Sequence, residues 1–171
     1  MIHVVSQAGR RMIGPVRAPG GRMNEPVTAD WEQFVQALAL CLSELPSRAT
    51  LIIAAPGNRY VQFMQYDIKL SAELAGDHYL TEPIPDAAAQ ELRELGWNEP
   101  MLRREVDNWT RTMFWPISPR SLIEFARSVA IGFRDALGVA TPVELRAMGW
   151  TEASGDLDLT VLGSMARRGW N

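Results

Sequence analysis

The chain has little of what most catalytic and metal centres are built from. One cysteine, Cys41, occurs in 171 residues, so no intramolecular disulfide can form, and its place in an apolar helical stretch reads as a small buried hydrophobe in a reducing compartment. The two histidines are His3, in the N-terminal segment, and His78, beside a turn. Neither has a nucleophile or a second ligand at a recognisable spacing. HExxH, CxxC, GxSxG and a Walker-type phosphate loop are all missing. Gly20-Gly21 precedes no strand-to-helix unit with a lysine, and Asp156-Leu157-Asp158 offers two acids without the further oxygen ligands a cation needs. These absences predict no catalytic residues, no metal site and no cofactor.

Long hydrophobic runs are absent as well, which excludes a bilayer span or a signal peptide and reads as a soluble, cytoplasmic protein. A surplus of positive charge is also missing. The formal net charge of -3 argues against nucleic acid as the partner, since such proteins present a basic surface. What is there is an ordinary globular composition, 47% hydrophobic and 22% charged, in a length that suits one core.

Residues 1–27 carry Arg10, Arg11, Arg17 and Arg22 among Gly and Pro, with no acid before Glu25, and read as a flexible basic arm. Asp30 to Leu45 reads as a helix, because Trp31, Phe34, Val35, Leu38, Cys41, Leu42 and Leu45 recur at three- and four-residue steps. Asp30 and Gln33 suggest a capping box. Thr50 to Ala55 is a β-rich run closed by Pro56-Gly57-Asn58, and the stretch from Arg59 to Leu80 continues it as a meander. Alternation assigns Val61, Phe63, Ile68, Leu70 and Leu74 to the core. It turns Tyr60, Gln62 and Met64, beside Lys69, Ser71 and Glu73, to the wet side.

Asp86 is read as the cap of a helix over 87–95 that ends at Gly96-Trp97 in a Schellman pattern. Asn98 to Asp107 reads as loop. Asn108 to Trp115 reads as a fourth strand, with Trp109, Arg111, Met113 and Trp115 on one side and Thr110, Thr112 and Phe114 on the other. Ser118 and Pro119 open a helix that runs to Leu137, with Gly138 closing it. Glu144 to Trp150 echoes Glu91 to Trp97 and reads as a second helix ending in Gly-Trp. The expected organisation is an arm over 1–27, an α+β domain over 28–150, and a loosely structured tail over 151–171 whose apolar residues are free to form an edge strand or to dock.

Taken in order, Tyr60-Val61-Gln62-Phe63, Ala72-Glu73, His78-Tyr79-Leu80, Leu95-Gly96-Trp97, Asn108-Trp109, Trp115-Pro116 and Leu137-Gly138-Val139 resemble the TY-Chap family of actinobacterial proteins. These cues span about residues 28 to 145. Two places depart from the family pattern: Met64-Gln65-Tyr66-Asp67 is poorer in Asp and Gly, and His78 stands where Asn is common. The resemblance implies a fold akin to type III secretion chaperones and YbjN-like proteins, an antiparallel sheet of a three-stranded meander plus at least one further strand, flanked by helices. It also implies a noncatalytic peptide-binding, chaperone-like role and a possible homodimer.

The expected function is a chaperone or adaptor that holds a protein or peptide client on a sheet face or edge. Tyr60, Gln62, Met64, Trp109, Arg111, Met113 and Trp115 are the expected contacts, because Tyr, Trp, Met and Arg are enriched at interface centres. Two other classes stay open: a constitutive subunit of a larger assembly docking through the tail, and a small hydrolase built around His78 and the Glu-rich helix.

Overall fold

The computed structural model describes residues 29–101 and 107–165. Helix α1 (Ala29–Glu44) is followed by strands β1 (Ala49–Ala55), β2 (Arg59–Gln65) and β3 (Lys69–Leu74). Helix α2 (Asp86–Glu94), strand β4 (Trp109–Phe114) and helix α3 (Pro119–Ile131) come next, and α3 runs on into a π-helical turn, Gly132–Ala136. Strands β5 (Arg146–Thr151) and β6 (Gly155–Asp156) and a 3-10 stretch, Thr160–Met165, complete the order. All six strands join one antiparallel sheet in the order β4-β3-β2-β1-β5-β6. The fold is α+β, with the expected meander at its centre.

One face of the sheet holds the core. Leu51, Ile53, Val61, Phe63, Leu70 and Leu74 are fully buried there, each such side chain contributing roughly 1.5–3 kcal/mol of apolar transfer. Helix α3 lies against them: Phe125 meets Phe63 edge-on at a centroid distance of 6.1 Å. Helix α1 packs beside α3 through Phe34 and Phe133, 6.2 Å apart, and through Glu32, whose two oxygens accept from Arg127 Nη2 at 2.8 and 2.6 Å. That pair holds the Glu32 carboxyl below its usual range. Helix α2 shares this side, since a Cβ at Gly132 would collide with Leu74 and touch Leu92 at 3.6 Å. Burial also explains Cys41, whose thiol is pushed up to about 11.

The ends of the helices follow from local chemistry. Ser118 Oγ accepts from Ser121 N at 3.1 Å and Pro119 takes the first helical position, where its missing N–H costs nothing. At the end of α2, Gly96 has φ +87°, and the amides of Gly96 and Trp97 donate back to Arg93 and Leu92 at 3.0 and 2.9 Å. That is the predicted Schellman ending, with Trp97 buried. Neither expected cap sits at the cap position: Asp30 is the second residue of α1, and Asp86 is the first residue of α2, behind Pro85.

Three expectations are corrected. Glu144 to Trp150 does not end a helix. It supplies β5, in which Ala147, Gly149 and Thr151 are buried and Arg146, Met148 and Trp150 are not. Gly149 is a close-approach residue there, because a Cβ would sit 2.9 Å from Leu157 and 3.1 Å from the Thr50 carbonyl oxygen, so its resemblance to Gly96 is one of sequence alone. The segment after Gly155 is not loose: Leu159, Leu162 and Met165 are buried in the same core as α1. Ile68 is 67% exposed, since it occupies the two-residue loop closed by the Tyr66 amide on the Lys69 carbonyl at 2.8 Å. The basic arm over 1–27 and the final six residues, 166–171, lie outside the described residues.

Candidate functional site

The other face of the sheet has no α-helix against it among the described residues; only the short 3-10 turn Asp77–Tyr79 touches it, at one end. Its outward positions fall into rows that cross five strands, the first of them extended onto β6 by Asp156, which pairs with Trp150. One row is Trp150, Thr50, Met64, Ser71 and Thr112, and the next is Met148, Ile52, Gln62, Glu73 and Thr110. With strands roughly 4.8 Å apart, each row is about 19 Å long across those five strands. Phe114 and Lys69 form a further pair at one corner. Of these side chains Phe114 is 66% exposed, Met148 38% and Trp150 37%, while Ile52, Met64 and Gln62 are half-buried by their own neighbours. The face is thus a shallow, largely uncharged surface with methionine, aromatic and β-branched groups.

A hydrogen-bonded cluster stiffens one end of it. Asn108 Nδ2 donates to Tyr60 Oη at 3.0 Å and to Glu73 Oε2 at 3.1 Å, and its Oδ1 accepts from the Gly76 amide at 3.2 Å. Gly76 is required here, because a Cβ would run into the Asp107 carbonyl oxygen. Burial raises the Tyr60 phenol above its ordinary pKa, so it stays a neutral donor and acceptor. Tyr79 closes on Tyr60 at a centroid distance of 6.2 Å. Four of the separate sequence cues, at Tyr60, Glu73, Tyr79 and Asn108, therefore converge in space.

The seven expected contact residues do not share one surface. Tyr60, Gln62 and Met64 lie together on the open face. Trp109, Arg111 and Met113 pair across β3 with Leu74, Ala72 and Leu70, which turns them to the helix-covered side. Trp109 is 5% exposed. The Arg111 guanidinium donates to Ser128 Oγ at 2.7 Å and lies 5.1 Å from the Phe125 ring centroid, and its burial lowers its pKa. Trp115, past the end of β4, packs partly buried against the core with its Nε1 enclosed. On β4 the open face is instead Thr110, Thr112 and Phe114. Four members of the face were missed by sequence reasoning: Ile52, Phe114, Met148 and Trp150. The alternation in Arg146–Thr151 was the available signal for two of them.

His78 is exposed and stacks edge-on with Tyr79 at 5.1 Å, and no described side chain hydrogen-bonds to it. Glu91 lies elsewhere, on α2, where burial and Asp135 raise its pKa. No group of His, Cys, Asp and Glu among the described residues could hold a metal ion. Asp158 uses its Oδ1 to accept from the Thr160 amide at 3.0 Å. A cleft of about 290 Å3 lies between the end of α1 and residues 157–161. No described helix is long and apolar enough to cross a membrane.

Residues 24–151 match the family described as TY-Chap3, T3SS (YopN, CesT) and YbjN peptide-binding chaperone 3. No curated protein and no solved structure matches the chain.

Proposed function

The chain belongs to the TY-Chap3 family of peptide-binding chaperones, and on that premise we propose that it is a noncatalytic, cytoplasmic chaperone or adaptor that holds a client segment on the open face of its sheet. The observation that carries this reading is the asymmetry of the sheet: helices bury one side, while Ile52, Met64, Phe114, Met148 and Trp150 are left in reach of solvent on the other. A soluble domain usually gives such positions to charged residues. Methionine and aromatic side chains suit a surface that must accept more than one sequence, because they are large, apolar and adaptable.

The alternative of a constitutive subunit docking through the apolar tail loses its support, since Leu159, Leu162 and Met165 are already packed inside this chain. The chain has one lysine, Lys69, and it lies on the open face, which provides a test. An amine-directed photo-cross-linker attached there is expected to capture unfolded model substrates such as reduced, carboxymethylated α-lactalbumin. Introducing Met64→Ala and Trp150→Ala together is expected to reduce that capture at least tenfold without unfolding the domain. Undiminished capture in the folded double variant would remove the open face from consideration.

A further inference from the structure

Glu73 is the only carboxylate among the outward positions of β1 to β5, with Asp156 beyond Trp150 on the edge strand β6, and it stands on β3 at the end of the face stiffened by Asn108, with Gln62 on one side and Thr110 on the other. Its Oε2 is held by Asn108, which is itself fixed by Tyr60 and by the Gly76 amide. Its Oε1 has no hydrogen-bond partner among the described residues, and no described cation pairs with it. The two cations of the same face are engaged elsewhere. The Lys69 ammonium lies 4.9 Å from the Tyr66 ring centroid, and Arg146 Nη1 donates to the carbonyls of Val143 and Leu145 at 3.1 and 2.9 Å.

A carboxylate held in one orientation at one end of a partly apolar surface, and paired with neither cation of that face, is more than a charge for solubility. It is a good device for selection. We propose that the open face selects client segments in which a lysine or arginine is flanked by apolar residues, with Glu73 as the anion that meets the cation. This rests on the reading of that face as the client surface. The apolar stem of the client's lysine or arginine would lie on Met64 and Ile52 while its charged end reaches Glu73. An acidic residue at the same place would meet a like charge and be disfavoured. Such selection has a modest size, about fivefold for an ion pair that stays partly wet. That suits a protein with several clients.

The test uses three synthetic twelve-residue peptides of alternating leucine and threonine that differ only at one central position, which is arginine, citrulline or glutamate. Binding to the full chain is followed by fluorescence anisotropy. The arginine peptide is expected to bind about fivefold more tightly than the citrulline peptide, and the glutamate peptide more weakly than either. Glu73→Gln is expected to bring all three within about twofold while leaving the citrulline peptide unchanged. An arginine preference that is absent in the wild type, or that survives Glu73→Gln, overturns the proposal. Met64→Ala separates the two levels of the argument: equal binding of all three peptides that weakens in Met64→Ala rejects the charge selection and keeps the face. Binding indifferent to Met64→Ala, or no binding of any peptide, rejects both.

Discussion

The two faces of the sheet are made from the same six strands, often from neighbouring residues, and they solve opposite problems. On the covered face, Phe63 and Leu74 meet Phe125 and the gap left by Gly132, so shape is matched residue by residue. On the open face, Met64 and Glu73, one position away along the same strands, meet solvent. The difference shows that burial here is decided by which side the helices take, since strand propensity is the same for both sets. A residue such as Arg111 makes the point: its chemistry suits an interface, yet its register places it under α3, where Ser128 and Phe125 occupy it.

The comparison breaks most visibly if a covered-face residue is truncated. Phe125→Ala should destabilise the fold by about 3–5 kcal/mol, because it leaves a cavity against Phe63 and Trp97. Urea unfolding measures this, and a loss below about 1 kcal/mol would mean that α3 does not seal this face. Arg111→Ala is the next step down. It should cost about 1–3 kcal/mol through the lost packing on Phe125 and the lost hydrogen bond to Ser128, whose hydroxyl keeps its own bond to the Phe125 carbonyl at 2.7 Å, while the client affinity of the folded fraction stays unchanged. A loss of affinity without a loss of stability would put Arg111 back in the binding surface.

On the open face the effects should reverse. Met64→Ala and Trp150→Ala together should change stability by less than about 1 kcal/mol and weaken model-substrate binding by at least about tenfold, or roughly 1.4 kcal/mol. Paired anisotropy and thermal melts check both halves. The smallest effect belongs to Glu91 on α2. Burial raises its pKa, and the Asp135 carboxylate adds to the shift. A raised carboxyl pKa means that its stabilising contribution is present below the ordinary pKa, near 4.5, and is lost as pH rises through the folded value. Glu91→Gln should therefore raise Tm at pH 7 by about 1–3 °C, and that advantage should vanish at about pH 4. An equal gain at both pH values would assign it to something other than the buried charge.

Much of the fold could be read in advance where one local rule dominated. α1 and α3 declared themselves by three- and four-residue spacing over several turns, and the β1–β2 hairpin by two apolar runs around Pro56-Gly57-Asn58. The Gly96-Trp97 ending was readable because a positive φ next to a buried aromatic is a property of a few adjacent residues. The second Gly-Trp misled for the same reason. Gly149 is glycine because Leu157 and the Thr50 carbonyl press on it, and neither neighbour is local in sequence. The candidate site was half legible. Tyr60, Gln62 and Met64 were found from alternation within one strand, but relating β4 to β2 requires knowing which of its sides faces the helices, and alternation alone is silent on that.

By itself, then, the sequence determined the local quantities: where helices start and stop, which residues of each strand share a side, and the family, through the order of short cues around Tyr60, Asn108 and the Gly-Trp and Gly-Val endings. Only the tertiary structure decided that β5 is the strand beside β1, that residues 157–165 belong to the core, and that Trp109 and Arg111 are covered while Ile52, Phe114, Met148 and Trp150 are open. The physical reason is that periodicity divides a strand into two faces without ordering them. That order is set by which apolar set the helices can close upon, through contacts between residues as far apart in the chain as Phe63 and Phe125.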